Sequence, residues 1–141
     1  MSLRLVHANM TVRDIDASVK FLRTAFPQFK IRHDGEGSMG RYVHVGTDET
    51  YIAVNQSSED PEQVWHPYSG RPGVNHLGYE VDDVDALRER LLQGGYEEST
   101  VPNNHPHRKR IYFHDPDGND WEFVQYLSDE PHHRHDYELP D

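Results

Sequence analysis

The chain repeats itself at one fixed offset, and nothing else in it narrows the possible folds as far. Sliding the sequence by 76 − 7 = 69 residues sets HANMTVRDIDASVKFL from His7 against HLGYEVDDVDALRERL from His76. Val12 then meets Val81, Asp14 meets Asp83, Asp16 meets Asp85, Ala17 meets Ala86 and Leu22 meets Leu91. The same offset sets RYVHVGTDETYIAVNQ from Arg41 against RIYFHDPDGNDWEFVQ from Arg110, pairing Asp48 with Asp117 and Gln56 with Gln125. The chain is therefore expected to build one supersecondary unit twice.

Each copy opens with an alternating segment, residues 3–12 and 74–81, in which apolar and polar positions swap as a half-buried strand requires. A helix should follow. In the first copy Ile15, Val19, Leu22 and Phe26 share a face behind a capping Asp14 or Asp16, and Pro27 stops it; in the second, Val84, Leu87 and Leu91 do the same before Gly94 and Gly95. Strands at 41–45 and 51–56 flank a GTDET turn, and strands at 110–114 and 121–126 flank DPDGND. Each copy thus reads as strand, helix, then about three strands, an α+β pattern. With 141 residues the chain is one domain, with modules 3–56 and 74–127, a polar linker 57–73 carrying Trp65 and Tyr68, and a tail 128–141 too polar for core.

Charge and cysteine usage limit the chemistry. Fourteen Lys and Arg against 25 Asp and Glu leave a net charge of −11, which repels phosphate backbones and anionic bilayers, so neither nucleic acid nor membrane is an expected partner. With no cysteine, disulfides and thiolate sites are excluded, and the 11 histidines and the carboxylates become the strong metal ligands. The opening MSLRLVHANM lacks a signal-peptide core and no run reaches the roughly 20 apolar residues of a membrane helix, so a cytoplasmic protein is expected.

Strand alternation puts His7 opposite Val6, Ala8, Met10 and Val12, the residues that would pack on the first helix, and the repeat puts His76 opposite Leu77, Tyr79 and Val81. A pseudo-twofold arrangement would bring both imidazoles towards one axis. Glu122 alternates with Trp121 and Phe123, and a carboxylate facing inward is costly unless paired or coordinated. Two imidazoles and one carboxylate leave open positions on a divalent ion, the set used by non-haem iron(II) oxygenases and one that zinc, manganese or nickel also accept. His7, His76 and Glu122 are accordingly the candidate metal ligands. The alternative is three strand residues satisfied by hydrogen bonds.

Over residues 3–127 the chain resembles the vicinal-oxygen-chelate superfamily, which includes glyoxalase I, extradiol dioxygenases, fosfomycin-resistance thiol transferases and bleomycin-binding proteins. HANMTV with DIDASVKFLRTAF, NHLGYEVDDVDAL and IYFHDPDGNDWEFVQY carry the resemblance. It implies paired βαβββ modules curving into a U-shaped mixed sheet around the metal, helices on the outer face, and a homodimer that binds a small oxygenated substrate through vicinal oxygens. The offset sets Ala53 where glyoxalase I carries a fourth ligand, so the remaining His, His, Glu set is similar to extradiol dioxygenases and fosfomycin-resistance enzymes, and basic residues to hold a phosphonate after Glu122 are missing. Dioxygenase-like chemistry is favoured. The resemblance makes Tyr112 a candidate substrate contact and His105 or His107 a candidate acid–base group, since histidine titrates near neutrality. The alternatives are a glyoxalase I-like lyase, with Glu80 or water in place of the missing carboxylate, and a non-catalytic drug-binding protein. Trp65 and Tyr68 are expected to pack the linker across the sheet or a subunit partner, with a substrate lid as the alternative, and His132, His133 and His135 to lie in a solvated tail, with opportunistic metal binding as theirs.

Overall fold

The computed structural model describes residues 3–58 and 67–140; Trp65 lies outside them. The backbone divides into two compact units, Met1–Val64 and Trp65–Asp141. The first contains β1 (His7–Val12), α1 (Ile15–Ala25), β2 (Lys30–Gly37), β3 (Gly40–Gly46) and β4 (Tyr51–Gln56). Its sheet runs β1-β4-β3-β2, with β1 parallel to β4 and the other pairs antiparallel. The second contains β5 (His76–Glu80), α2 (Val84–Gln93), β6 (Arg108–His114), β7 (Asp120–Tyr126) and α3 (Pro131–Arg134), with sheet order β5-β7-β6 and β5 parallel to β7. Where the first unit has β2, the second keeps a single bridge from Glu98 to Phe113. The protein is thus α+β with two mixed sheets, consistent with a pair of βαβββ modules. No described helix is long and apolar enough to cross a membrane.

The residues shared between the copies are those that start the helices. Asp14 accepts the Ala17 N–H at 3.1 Å and Asp83 the Ala86 N–H at 2.9 Å, each satisfying an orphan donor of a first turn. Gln56 Oε1 accepts the Ile15 N–H and Gln125 Oε1 the Val84 N–H, tying each helix start to the last strand of its own module. Asp16 instead pairs with Arg41 on the surface. The buried face of α1 is Ile15, Ser18, Phe21, Leu22 and Ala25, with Val19 at its edge, so the expected stripe is rotated and Phe21 joins it. On α2 it is Val84, Leu87 and Leu91, as the periodicity predicts.

Each helix covers the apolar side of its sheet: Val43, Val45, Ile52 and Val54 in the first unit, Ile111, Phe113, Trp121 and Phe123 in the second, all under a tenth exposed. Burying a side chain of this size contributes roughly 1.5–3 kcal/mol. The other side of each sheet is left to polar and aromatic residues.

The ungapped repeat breaks in the third strand. Ala53 pairs with His44, whereas its counterpart Glu122 pairs with Tyr112, an offset of 112 − 44 = 68. The DPDGND turn is one residue longer than the GTDET turn. A one-residue slip moves a side chain to the opposite face of a sheet. Arg41 and Arg110, equivalent by the uninterrupted offset, therefore lie on opposite sides of their sheets, and Tyr42 is the counterpart of Arg110.

The tail is mostly exposed, with His132 and His135 among its exposed residues, yet it is tied down at particular points. Arg134 donates to both Glu80 carboxylate oxygens at 3.0 Å and lies over the Tyr126 ring at 3.9 Å, while Arg108 donates to the Asp136 carbonyl at 2.8 Å. Too polar to form core, it is held by charge-assisted bonds instead.

Candidate functional site

The β6–β7 turn sets the site's register. Asp115, almost fully buried, accepts the N–H groups of Asp117 and Asn119 at 2.9 and 3.0 Å and the Trp121 indole N–H at 3.1 Å. Gly118 takes φ +81° there, a conformation open to glycine. The turn sends β7 back so that Glu122 faces Tyr112 on one side and Gly78 of β5 on the other. A Cβ on residue 78 would touch the Glu122 carboxylate at 3.5 Å, so glycine keeps that space open.

The structure brings His76 and Glu122 together: Nε2 lies 3.0 Å from Oε2. Tyr112 joins them with its ring edge-on to His76 at 5.7 Å, and Arg110 Nη1 lies 4.0 Å from Glu122 Oε1. Burial first, and the Glu122 charge second, hold the Tyr112 phenol above its ordinary range, so it is a proton-bearing donor at neutral pH.

On its other side His76 meets a group the sequence reading missed. The Tyr68 hydroxyl lies 3.1 Å from His76 Nδ1 and 2.7 Å from Asp120 Oδ2. Asp120, 4% exposed, also accepts the Ser99 hydroxyl at 2.6 Å. Burial, and then the bond to Asp120, push the Tyr68 phenol well up. Tyr68 takes φ 65°, a left-handed conformation costing a non-glycine residue of order 1–2 kcal/mol, and its N–H is held by Asn75 Oδ1 at 3.2 Å. Asp120 was findable, since the alternation that singled out Glu122 puts residue 120 on the same face. Tyr68 carried no signal beyond being an aromatic in a polar linker.

An imidazole and a carboxylate facing each other are donors of the kind a divalent ion takes. The Tyr68 hydroxyl has one proton, and the carboxylate at 2.7 Å is the stronger acceptor. His76 thus presents Nδ1 to the phenol oxygen at 3.1 Å and Nε2 to a carboxylate oxygen at 3.0 Å. A proton on Nε2 or a metal ion would satisfy that nitrogen–carboxylate contact. Among the described residues no group of three His, Asp or Glu side chains stands close enough to hold a metal by itself.

His7 occupies in the first unit the register position that His76 has in the second: His7 pairs with Tyr51, and His76 with Asp120. It stacks on Tyr51 at 4.8 Å, Tyr51 stacks on His44 at 4.6 Å, and Tyr42 and His33 continue the row at 5.4 and 5.3 Å. Burial first, then His33, His7 and Arg32, hold the His44 imidazole below its ordinary value, so it is neutral at neutral pH.

His105 and His107 are not brought to His76 and Glu122. Leu127 N–H bonds the His107 carbonyl, and Tyr112 is 112 − 107 = 5 residues further along, about 17 Å at strand rise. His105 is enclosed, its Nδ1 accepting the His107 N–H at 3.0 Å and its Nε2 lying 3.9 Å from Asp136. His107 stacks on His133 of the tail at 4.0 Å.

A model of the Glyoxalase/Bleomycin resistance protein/Dioxygenase superfamily matches residues 4–123. Among solved structures, the chain is similar to a glyoxylase/bleomycin resistance protein/dioxygenase domain from Frankia sp. EAN1pec, at 26% identity and a TM-score of 0.75, covering 96% of this chain and 100% of that one. It is similar also to the fosfomycin resistance protein FosX from Mesorhizobium loti, at 21% identity, TM-score 0.62 and coverage of 87% and 91%. A third is TnmS3, an antibiotic binding protein from Streptomyces sp. CB03234, at 25% identity, TM-score 0.63 and coverage of 89% and 98%. No curated protein matches it.

Proposed function

The chain belongs to the glyoxalase/bleomycin resistance protein/dioxygenase superfamily, and on that premise we propose that it is a metal-dependent enzyme acting on a small oxygenated substrate. Its ligands would be His76 and Glu122, with His7 as the third on the sequence argument alone. The observation that carries this reading is the imidazole and carboxylate facing each other, His76 Nε2 3.0 Å from Glu122 Oε2, with Gly78 and Tyr112 beside the carboxylate. Iron(II) is favoured, with manganese, zinc and nickel as other occupants. A divalent ion held there supplies Lewis acidity towards adjacent substrate oxygens.

The protein's own groups then have distinct tasks. Tyr112 keeps a proton on its hydroxyl beside Glu122 and can donate it to a substrate oxygen. Gly78 leaves room next to the carboxylate. Within the family we favour dioxygenase-type chemistry over glyoxalase-type chemistry because Ala53 offers no fourth ligand. A homodimer goes with this reading, and sedimentation at micromolar concentration tests it.

The test is metal analysis of untagged protein, followed by oxygen uptake with iron(II) and catechols and, anaerobically, turnover of a glutathione hemithioacetal. Oxygen uptake supports the favoured chemistry and anaerobic turnover replaces it with the lyase. Absence of stoichiometric metal under every loading condition rejects the enzyme reading. One observation favours a second reading in that event. The row His7, Tyr51, His44, Tyr42 and His33 is an aromatic surface suited to stacking a planar ligand, and TnmS3 is an antibiotic binding protein. Tight capture of an aromatic antibiotic without turnover would establish it.

A further inference from the structure

We propose that the docked tail, through Arg134, is the end wall of the second unit's substrate-binding face and limits the length of the molecule that face accepts. This rests on the metal-site reading above, which supplies the substrate, but the wall itself can be observed without metal or turnover.

Alternation along the strands divides the second sheet into two faces. Ile111, Phe113, Trp121 and Phe123 are buried on the helix side, and His76, Tyr112 and Glu122 lie on the other. Glu80 follows His76 on β5, and Tyr126 follows Glu122 on β7, by an even number of residues, and Arg108 pairs with Tyr126, so all three share the face of the candidate ligands. Those three are the residues that hold the tail. Arg134 donates to both Glu80 oxygens at 3.0 Å and lies over the Tyr126 ring at 3.9 Å, and the buried Arg108 donates to the Asp136 carbonyl at 2.8 Å. A guanidinium that is both two-pronged to a carboxylate and stacked on a ring is a firm fixture. Beside it, His133 stacks on His107 at 4.0 Å and meets the Ser128 hydroxyl at 2.8 Å.

The strands that carry the wall set its distance. Glu80 lies two residues beyond Gly78 and Tyr126 four beyond Glu122, roughly 7 Å and 13 Å at strand rise from the space that Gly78 leaves beside the carboxylate. A molecule that reaches Glu122 and extends towards Tyr126 meets a guanidinium whose charge Glu80 already neutralises, so the wall excludes by volume and does not recruit an anion. The room admits a single ring or a chain of similar length, not two rings joined end to end. Arg134 is thus a specificity-determining residue that takes no part in the chemistry.

The chain has no cysteine, so Gly78→Cys in the full-length protein places one reporter thiol on this face, and a Cβ at residue 78 meets the Glu122 carboxylate at 3.5 Å, an ordinary contact. Its modification is timed with methyl methanethiosulfonate, which is small, and with N-(1-pyrenyl)maleimide, which is several rings across, each against its rate on the urea-unfolded protein. The pyrene reagent should be strongly retarded in the folded Gly78→Cys protein. Adding Arg134→Ala should raise the pyrene rate relative to the methyl rate by roughly 10-fold or more, the scale on which a pocket of fixed size separates neighbouring sizes. Adding Glu80→Gln instead, which loosens the guanidinium without shortening it, should raise the ratio by less. An unretarded pyrene rate, or an unchanged ratio with Arg134→Ala, overturns the wall. On iron(II)-loaded protein that keeps Gly78, Arg134→Ala should shift oxygen uptake from catechol towards 4-phenylcatechol to a similar extent. A shifted thiol ratio with an unchanged catechol preference overturns length selection. A shifted thiol ratio with no oxygen uptake from either compound leaves the wall standing and rejects the dioxygenase reading.

Discussion

Tyr112 stands opposite Glu122 across β6 and β7, its ring edge-on to His76 at 5.7 Å. This places one protonated phenol beside the paired imidazole and carboxylate. Tyr112→Phe removes the hydroxyl and keeps the ring. Loss of a single hydrogen bond to a charged group costs about 1.5–3 kcal/mol, so kcat/KM should fall by roughly 10- to 150-fold. Metal content should not change. Steady-state kinetics and metal analysis on the same preparation check both, and a parental kcat/KM would reduce Tyr112 to a packing aromatic.

The two helix starts allow a paired test of the repeat. Asp14 and Asp83 each accept the N–H three residues on, whereas Asp16 is engaged with Arg41 on the surface. Asp14→Ala and Asp83→Ala should therefore each lower unfolding stability by about 1 kcal/mol, and Asp16→Ala by clearly less. Urea denaturation measures this. Equal losses at Asp14 and Asp16 would mean the first helix is capped differently.

Particular residues explain how far the sequence could be read. The offset of 69 located both helices, their caps and the strands bearing His7, His76 and Glu122, because capping and strand alternation are local and leave a periodic trace. It did not foresee the slip to 68, which depends on the lengths of two turns and reassigns Arg110 to Tyr42. Nor did it find Tyr68 at His76, since that contact joins residues whose partner Asp120 lies 52 positions away from Tyr68. The points at which the tail is held were illegible for a related reason. Polarity excludes a segment from an apolar core but does not exclude docking through Arg134, Glu80 and Arg108, whose pairing has no sequence period.

That docked tail should respond to acid. Asp136 accepts the N–H groups of Glu138 and Leu139 at 2.9 and 3.0 Å, and these two bonds hold its carboxyl below the ordinary 3.8. A carboxylate whose folded value is depressed contributes stability above its unfolded value and loses it as pH falls through the folded one. The amides of Glu138 and Leu139 should lose protection below about pH 3.8 while the strand amides of β6 and β7 remain protected. Amide NMR across an acid titration reads this, and Asp136→Asn should abolish the local transition. Simultaneous loss of strand and tail protection would contradict a local event.

Ala53 is the register counterpart of Glu122, and its neighbours show why a carboxylate cannot simply be moved there. In the second unit Glu122 lies between Gly78 and Tyr112, and the glycine leaves space beside the carboxylate. In the first, Ala53 lies between Asn9 and His44 and is 2% exposed, and Asn9 accepts a bond from Asn55 on the same face. Ala53→Glu alone should therefore be overpacked, costing about 1–3 kcal/mol, with a further loss if the new charge is left unpaired. Asn9→Gly removes the obstructing side chain and copies Gly78, at a cost of its own because glycine weakens a strand. The double variant should nevertheless be more stable than Ala53→Glu by itself. Thermal unfolding of the parent, both single variants and the double variant makes the comparison. A double variant no more stable than Ala53→Glu would show that Asn9 is not what excludes a carboxylate from residue 53.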